Sequence, residues 1–441
     1  MKRLIESKLL DWKNSKRRKP LIVRGARQVG KTYSIDKFGR EFFDNLVSID
    51  LEKNRDWHAI FSGNLNPERI ISELEIFLNI KIIPGKTLLF FDEIQSCPRA
   101  IMALRYFYED FPELHVIAAG SLLEFAMKDI SFPVGRVQYL EMYPLNFAEY
   151  LLAVGRDEAT DVIMAKPRNI SDSIHKLLLD ELKKYCFIGG MPESVQVYVD
   201  SKSLQDSFSV HRELCDSFHH DFSKYAPRAD TYCLDAVFTG IARNIGQQII
   251  YTHLAEGYTH PTIKKAFNTL CMARVANKVQ SANPSGLPLG ATASSRRFKA
   301  LMVDIGIWQH LCGINIETEY VKTDLLSIYQ GAMAEQFVGQ EMMISQNSDL
   351  YYWARQAKSS TAEVDYLAVI DGNIIPIEVK SGTAGRLRSL HLLLKSYSNC
   401  PFGLVFSSAP YSELPEQKLK FLPLYYAYTA TKRSSTSEHG S

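Results

Sequence analysis

The most constraining feature of this chain is a glycine-bounded loop near its amino terminus. Residues Gly25 to Thr32 have the sequence Gly-Ala-Arg-Gln-Val-Gly-Lys-Thr and follow the apolar run Leu21-Ile22-Val23. Two glycines with four residues between them, followed by Lys-Thr, are typical of a phosphate-binding loop between a strand and a helix, because glycine tolerates the backbone angles that wrap amides around a phosphate. The loop therefore predicts an α/β fold with a parallel sheet.

The side chains of the loop fit ATP bound together with Mg²⁺. Lys31 supplies a cation for the phosphates, and Thr32 supplies a hydroxyl for the metal, at the N-terminus of the following helix. A chance match to this pattern is expected in roughly 1% of chains of this length. The residues predicted to bind the nucleotide are Gly25, Gln28, Val29, Gly30, Lys31 and Thr32.

A second acidic element strengthens this interpretation. The apolar run Leu88-Leu89-Phe90-Phe91 ends in Asp92-Glu93. Asp92 is predicted to complete the Mg²⁺ site with Thr32, and Glu93 to orient and polarise the attacking water. An acidic pair at a strand end is by itself also typical of a charged turn, and it is the position downstream of the phosphate loop that favours catalysis.

Two further residues each allow two interpretations. Ser121 follows the apolar run 116–120, where it either contacts the γ-phosphate of ATP or caps a helix over residues 122–128. Arg136, in Pro133-Val134-Gly135-Arg136-Val137, is either a catalytic arginine finger or a surface arginine beside a turn.

Strand and helix patterns alternate through the first third of the chain. Four short apolar runs predict buried strands, and two periodic stretches between them, residues 67–80 and 98–111, predict helices. After Tyr150 the pattern becomes helical, for example over residues 171–185 and 204–218. The strands are predicted at residues 21–23, 46–49, 87–91 and 115–119.

Composition narrows the function classes. The formal net charge of +2 gives no global reason for nucleic-acid or membrane binding, so any such case must be local. No apolar run is long enough to span a bilayer, and the charged first 20 residues do not form a secretory signal. The seven scattered cysteines contain no CxxC pair, which argues against disulfides or zinc and predicts a cytoplasmic protein.

Residues 262–299 contain a local basic pattern. A helical stripe over 262–273, a strand-like stretch over 274–279, a Gly/Pro-rich strip and a basic strand would form a winged helix. Such a unit either binds DNA through its basic residues or serves only as a packing module. The basic residues concerned are Lys264, Lys265, Arg274, Arg296, Arg297 and Lys299.

A hairpin near the C-terminus carries a second set of acidic residues. The runs 363–370 and 374–380 flank the turn Asp371-Gly372-Asn373. Asp365 and Glu378 lie on its strands, Lys380 shares a face with Glu378, and Glu335 precedes them on a helix. These residues are a possible second metal site for phosphodiester cleavage. The alternatives are a solvent-facing strand edge or a nuclease-like fold that has lost catalysis.

Taken together, these motifs resemble the AAA-superfamily ATPases of bacteria and archaea that carry a C-terminal domain of unknown function. The resemblance extends over nearly the whole chain and rests on Gly25–Thr32, Asp92-Glu93, Ala119-Gly120-Ser121, Gly135-Arg136-Val137, Tyr143-Pro144-Leu145, Gly189–Glu193, Val303–Gly306, Gly331–Glu341 and Ile377–Gly382. It implies an AAA-type core, a helical lid, a winged-helix region and a C-terminal domain similar to PD-(D/E)XK nucleases. The corresponding segments are 1–152, 153–228, 229–300 and 301–428, with a disordered tail at 429–441.

The sequence therefore predicts an ATPase with an α/β P-loop core, using ATP and Mg²⁺. The leading hypothesis is a nucleic-acid-associated ATPase with a nuclease-like C-terminus, which acts on DNA and forms a homo-oligomer without a membrane. The alternative is a signalling or scaffold ATPase whose C-terminal domain binds protein and is not catalytic.

Overall fold

The protein consists of two compact α/β units. The computed structural model describes residues 1–121, 123–126, 135–225, 230–314, 320, 330–357, 360–380 and 387–433. The first unit comprises Met1–Pro144 and Met272–Arg274, and the second comprises Leu145–Cys271 and Val275–Ser441. Among the helices described, none combines the length and apolarity needed to cross a membrane.

The first unit is built on a parallel sheet of five strands, in the order β2-β3-β4-β1-β5. Every residue of β3 and β4 is buried, as expected for central strands covered on both faces. Four of the strands were predicted from apolar runs. The strands are β1 (Leu21–Arg24), β2 (Asn45–Asp50), β3 (Thr87–Asp92), β4 (His115–Gly120) and β5 (Gln138–Glu141).

Among the residues that the structure describes, five α-helices accompany this sheet. Asn66 accepts the backbone N–H of Arg69 at 3.1 Å and so caps one helix, in which Pro67 takes the first position, where no N–H is needed. The helix that follows the phosphate loop begins at Lys31 directly after Gly30. The helices are α1 (Ile5–Asn14), α2 (Lys31–Phe42), α3 (Pro67–Leu78), α4 (Pro98–Asp110) and α5 (Leu123–Ala126).

The strand order determines which residues meet at the carboxyl edge of the sheet. Strand β4 lies between β1 and β3, so the residues that follow these three strands are neighbours. They are the phosphate loop after β1, Ser121 after β4 and Glu93 after β3. Ligands of open α/β sheets bind at this edge.

The second unit combines helices with a sheet of eight strands, in the order β12-β13-β11-β10-β9-β8-β6-β7. Its helices are α6 (Phe147–Ala153), α7 (Asp157–Met164), α8 (Asp172–Ile188), α9 (Pro192–Ser201), α10 (Leu204–Tyr225), α11 (Thr231–Arg243), α12 (His260–Met272), α13 (Ile305–Leu311), α14 (Gln330–Gln346), α15 (Arg388–Ser396) and α16 (Ala427–Thr431). Its strands are β6 (Ala276–Ser281), β7 (Ser294–Met302), β8 (Leu350–Ala357), β9 (Ser360–Ile370), β10 (Asn373–Val379), β11 (Gly403–Ser407), β12 (Ser412–Leu414) and β13 (Leu419–Pro423).

The sheet of the second unit crosses a predicted domain boundary. Strands β6 and β7 pair antiparallel, as a wing would, but β6 also pairs parallel with β8 and joins the C-terminal strands. The boundary expected at residue 300 falls inside β7. Hydrogen bonds between β6 and β8 join the segments on both sides of this boundary into one continuous sheet. The division into four domains stays a prediction.

The predicted C-terminal tail begins in ordered structure. Residues 429–431 end α16, where the hydroxyl of Thr431 donates a hydrogen bond to the carbonyl of Ala427 at 2.6 Å and the Thr431 side chain is buried. Disorder was therefore the wrong expectation for this stretch, which is anchored despite its polar composition. Residues 434–441 of the predicted tail, residues 133–134 of the predicted finger motif and residues 381–382 of the hairpin motif lie outside the described residues.

Two motifs singled out in the sequence meet inside the second unit. Asp304, in Val303–Gly306, is fully buried and accepts the N–H of Gly190, in Gly189–Glu193, at 2.6 Å. A Cβ on Gly190 would lie 2.0 Å from the carbonyl oxygen of Leu145, so only glycine fits at this position. These motifs have a packing role that sequence reasoning did not assign.

Glu341 predicts how the stability of the protein depends on pH. Its side chain lies buried on α14 and accepts the N–H of Phe147 at 2.9 Å, and burial raises its pKa from 4.5 to about 8. The folded state thus retains a proton that the unfolded state has lost, so stability falls as pH rises from about 4.5 to about 8. Glu341→Gln should flatten that fall by up to about 1.4 kcal/mol per pH unit.

Urea denaturation across this pH range, followed by circular dichroism, measures the effect. Glu213→Gln, at an exposed position of α10, is the control and should leave the pH profile unchanged. Superimposable profiles for Glu341→Gln and the wild-type protein would contradict the prediction.

Candidate active site

The phosphate loop has the backbone that its glycines predict. Gly30 has φ +90°, and Gln28, which is exposed, also has a positive φ of 63°. A Cβ on Gly25 would lie 2.1 Å from the carbonyl oxygen of Met142, so the close approach of these two backbones requires glycine. The loop is therefore shaped by local backbone angles and by its packing against the residue that follows β5.

Arg3 holds the loop from outside. Its guanidinium donates to the carbonyl of Val29 at 3.0 Å and to the carbonyl of Tyr143 at 2.7 Å. Arg3 is only 9% exposed, and Val29 is fully buried. No motif in the sequence indicates this contact, because Arg3 precedes the loop by more than 20 residues.

Lys31 is buried, and among the described residues no carboxylate is in hydrogen-bonding contact with its ammonium. Its ammonium donates to the carbonyls of Gly25 and Ala26 at 3.0 and 2.7 Å. Burial lowers the pKa of Lys31 from 10.5 to about 8, although the charges of Glu93 and Asp92 oppose this shift. A buried cation held only by neutral carbonyls is well placed to bind an anion.

Thr32 and Asp92 meet directly. The Thr32 hydroxyl donates to Asp92 Oδ2 at 2.6 Å, and the N–H of Glu93 donates to Asp92 Oδ1 at 3.0 Å. Burial raises the pKa of Asp92 from 3.8 to about 6. A hydroxyl and a carboxylate in contact are the oxygen donors that Mg²⁺ prefers, so the structure brings together the two residues predicted as metal ligands.

Glu93 adopts a left-handed backbone conformation, with φ 46° and ψ 44°, immediately after β3. Its carboxylate accepts a hydrogen bond from the side-chain amide of Gln95. A Cβ on Gly120 would lie 2.1 Å from Gln95 Oε1, so Gln95 packs against the end of β4. Non-glycine residues rarely have a positive φ, and such strain is concentrated at functional sites.

Ser121 lies at the end of β4, between the strands that carry the loop and Asp92. Its side chain is 2% exposed, and its hydroxyl has no hydrogen-bond partner among the described residues. A buried hydroxyl without a partner is costly. The buried Ser121 hydroxyl and the buried Lys31 ammonium both fit a phosphate at this edge of the sheet, because each would gain a hydrogen-bond acceptor.

Arg136 is not close to these residues. It bonds to Glu109 at 3.2 Å, near the end of α4, and its side chain is 46% exposed. Helix α4 runs from the carboxyl edge of β3 back to the amino edge of β4, so Arg136 lies at the edge of the sheet opposite to Lys31. A catalytic role for Arg136 within the same chain has no support from this position.

An arginine that the sequence placed elsewhere lies near the loop. Arg274 belongs to the first unit and bonds to Glu124 at 2.8 Å and Glu141 at 2.6 Å, two carboxylates that also pair with Arg24 at the end of β1. Its charge is close enough to lower the pKa of Lys31. The sequence position of Arg274 suggested an exposed basic residue of a winged helix. In the structure, two carboxylates hold it instead.

The second predicted set of residues lies in the second unit. Lys380 bonds to Glu378 at 2.6 Å, and their shared face was predicted from the strand period. Asp365 and Glu335 instead contact Lys299, at 3.2 and 2.6 Å. Among the described residues, no group of three or more His, Cys, Asp or Glu side chains is arranged to hold a metal ion.

Comparisons with known proteins agree with the geometry of the first unit. Residues 17–151 match an AAA domain, residues 179–318 match a domain of unknown function called DUF8612, and residues 330–426 match another called DUF4143. A search of curated proteins finds no match. The first unit thus contains an AAA-type P-loop domain.

Two solved structures illustrate a distant likeness to this chain. The ORC1 protein of Aeropyrum pernix in complex with DNA is 11% identical, with a TM-score of 0.28, over 72% of this chain and 92% of that chain. The RuvB Holliday junction branch migration motor of Thermotoga maritima is 15% identical, with a TM-score of 0.29, over 63% of this chain and 90% of that chain. Likenesses at this level carry no conclusion about function.

Arg274 can be tested through nucleotide affinity. Arg274→Gln removes a positive charge near Lys31, so ATP binding should weaken roughly fivefold, as expected for about 1 kcal/mol of charge interaction. Arg274→Lys should restore most of the affinity, because it keeps the charge. Fluorescence titration with a labelled ATP analogue measures these values.

The matched control is Arg105→Gln, which removes another ion-paired arginine of the first unit, on α4. It should bind the analogue like the wild-type protein. Equal affinity for Arg274→Gln and Arg105→Gln would show that Arg274 only supports the fold.

Proposed function

We propose that this protein is a Mg²⁺-dependent ATPase whose active site lies at the carboxyl edge of the parallel sheet. The observation that carries the proposal is the direct contact of Thr32 with Asp92 beside the buried ammonium of Lys31. The match of residues 17–151 to an AAA domain supports it.

Each residue of the site has a distinct role in this proposal. Lys31 turns from the loop carbonyls to the phosphates, and the Ser121 hydroxyl donates a hydrogen bond to them, which gives both buried groups the charged acceptor that they lack. Thr32 and Asp92 would hold Mg²⁺. When bound, Mg²⁺ supplies positive charge that stabilises the phosphate oxygens.

Glu93 is the residue proposed to activate water. It lies one residue beyond the metal ligand Asp92, and its carboxylate is oriented by Gln95. A carboxylate in this position accepts a proton from the attacking water, and Gln95 connects it to the end of β4, directly before Ser121. Gln95 thus couples the position of the Glu93 carboxylate to the end of β4, where Ser121 would contact the phosphates.

Arg136 enters the proposal only through a second copy of the chain. Its exposed position at the opposite edge of the sheet suits a finger that reaches the active site of a neighbouring subunit. Homo-oligomer formation is therefore part of the proposal.

Glu93→Gln tests the catalytic assignment. The substitution keeps the size of the side chain but removes its ability to accept a proton. The kcat for ATP hydrolysis should fall by about 10²-fold or more, with ATP affinity preserved, as measured by a phosphate-release assay and by calorimetry. Glu68→Gln, at an exposed position of α3, should keep wild-type turnover. A Glu93→Gln variant with normal turnover would remove Glu93 from the mechanism.

The second part of the proposal is that the protein binds nucleic acid. Fewer of the predicted basic residues are available for this than the sequence indicated. Of the basic residues predicted to contact DNA, Arg274 and Lys299 are held by carboxylates. Lys264 and Lys265 on α12 and Arg297 on β7 are exposed. The side chain of Arg296 lies outside the described part of the chain. Three exposed cations on one short segment are the remaining reason to propose phosphate contacts here.

Substitution of Lys264, Lys265 and Arg297 by Gln tests this surface. Each lost phosphate contact should lower the slope of log affinity against log salt by roughly 0.9, as measured by fluorescence anisotropy with duplex DNA. Three exposed lysines elsewhere in the second unit form the matched control, Lys166, Lys176 and Lys395.

The outcome separates the two function classes left open by the sequence. If the wild-type protein shows no salt-dependent affinity for DNA, and DNA leaves its ATPase rate unchanged, the scaffold alternative is favoured. In that alternative the second unit binds a protein.

A further inference from the structure

Lys299 lies at the centre of a buried cluster of carboxylates in the second unit. Its ammonium lies 2.6 Å from Glu335 on α14, and 2.6 and 3.2 Å from Glu363 and Asp365 on β9. The Lys299 side chain is 2% exposed. Because an ammonium has three N–H donors, these three carboxylates account for all of its hydrogen-bonding capacity.

The second carboxylate oxygens of Asp365 and Glu363 are also occupied. Asp365 Oδ2 accepts the backbone N–H of Val379 at 2.8 Å, and Glu363 Oε2 accepts the side-chain amide of Gln248. The ring of Tyr352 lies 5.6 Å from the Lys299 ammonium and is itself fully buried. Asp365 and Glu363 therefore have both carboxylate oxygens engaged by protein groups.

Glu378, the other predicted metal ligand, also has a lysine partner. One of its oxygens bonds to Lys380 at 2.6 Å. The other is buried without a hydrogen-bond partner among the described residues. A metal ion at this place would have to replace Lys299 at Glu335 and Asp365, because their inward oxygens already face the ammonium.

These contacts do not fit a resident divalent cation. Buried carboxylates require a compensating cation, and a metal ion requires several free oxygen ligands. Here the cation comes from the chain itself. We propose that the Lys299 ammonium takes the place of the divalent cation predicted for Glu335, Asp365, Glu378 and Lys380, so that this cluster binds no metal and cleaves no phosphodiester bond.

The proposal selects one of the alternatives that the sequence leaves open, a nuclease-like arrangement without catalysis. It is independent of the ATPase site, because the cluster lies wholly in the second unit. It assigns Lys299 a positioning role, in which one ammonium holds β7, α14 and β9 together.

Binding of Mn²⁺ to the full-length chain tests the proposal. All variants carry Asp92→Asn, which removes the metal ligand of the ATPase site, and no nucleotide is added. Free Mn²⁺ is followed by electron paramagnetic resonance, and bound Mn²⁺ by calorimetry. The comparison is between Lys299 retained, Lys299→Ala, and Lys299→Ala combined with Asp365→Asn. The matched control is Lys278→Ala, a half-buried lysine of β6 whose ammonium lies 4.7 Å from the ring of Phe298.

The chain that retains Lys299 and the Lys278→Ala control should bind no Mn²⁺. Lys299→Ala should gain one Mn²⁺ site, which Asp365→Asn removes again. A site already present when Lys299 is retained, and lost with Asp365→Asn, overturns the proposal, as does a folded Lys299→Ala variant that binds no Mn²⁺. If Lys299→Ala does not fold, the chain with Lys299 decides: no site supports the proposal, and a site dependent on Asp365 refutes it.

Discussion

The need of a buried charge for a partner governs both units of this protein. Lys31 and Lys299 are each almost inaccessible to solvent, at 6% and 2% exposure. Burial lowers the pKa of Lys31 to about 8, against the opposing charges of Glu93 and Asp92, and the ammonium donates its hydrogen bonds to the neutral carbonyls of Gly25 and Ala26. The pKa of Lys299 is instead raised well above its ordinary value, since Glu335, Asp365 and Glu363 outweigh the effect of burial. The first lysine is available for an anionic ligand, and the second is already neutralised.

Short sequence patterns predict much of the structure of the first unit. The loop from Gly25 to Thr32, the strands that end at Asp92 and Gly120, and the helices between them are each visible as short apolar runs or periodic stretches. Their proximity in space follows from the rule that parallel strands present their carboxyl ends at one edge. Strand β5 was missed because its four residues, Gln138–Glu141, include polar residues at both ends and give no apolar run.

Contacts between distant segments account for what the sequence did not predict. Arg274 is more than 100 residues from Glu141 in the chain, and Lys299 is 36 residues from Glu335. Spacing rules hold within one helix or strand and do not reach such pairs. The basic residues of this region therefore looked like a single surface, whereas the structure separates them into buried ion pairs and exposed cations.

Binding of ATP by the nucleotide-free protein, measured by calorimetry with and without Mg²⁺, tests the central claim most directly. The claim is that Lys31, Thr32 and Asp92 form one site for ATP and Mg²⁺. We expect the wild-type protein to bind one ATP per chain, more weakly when Mg²⁺ is removed, and Lys31→Ala to lose binding. A wild-type protein that binds no ATP, or a folded Lys31→Ala variant with unchanged affinity, would contradict it.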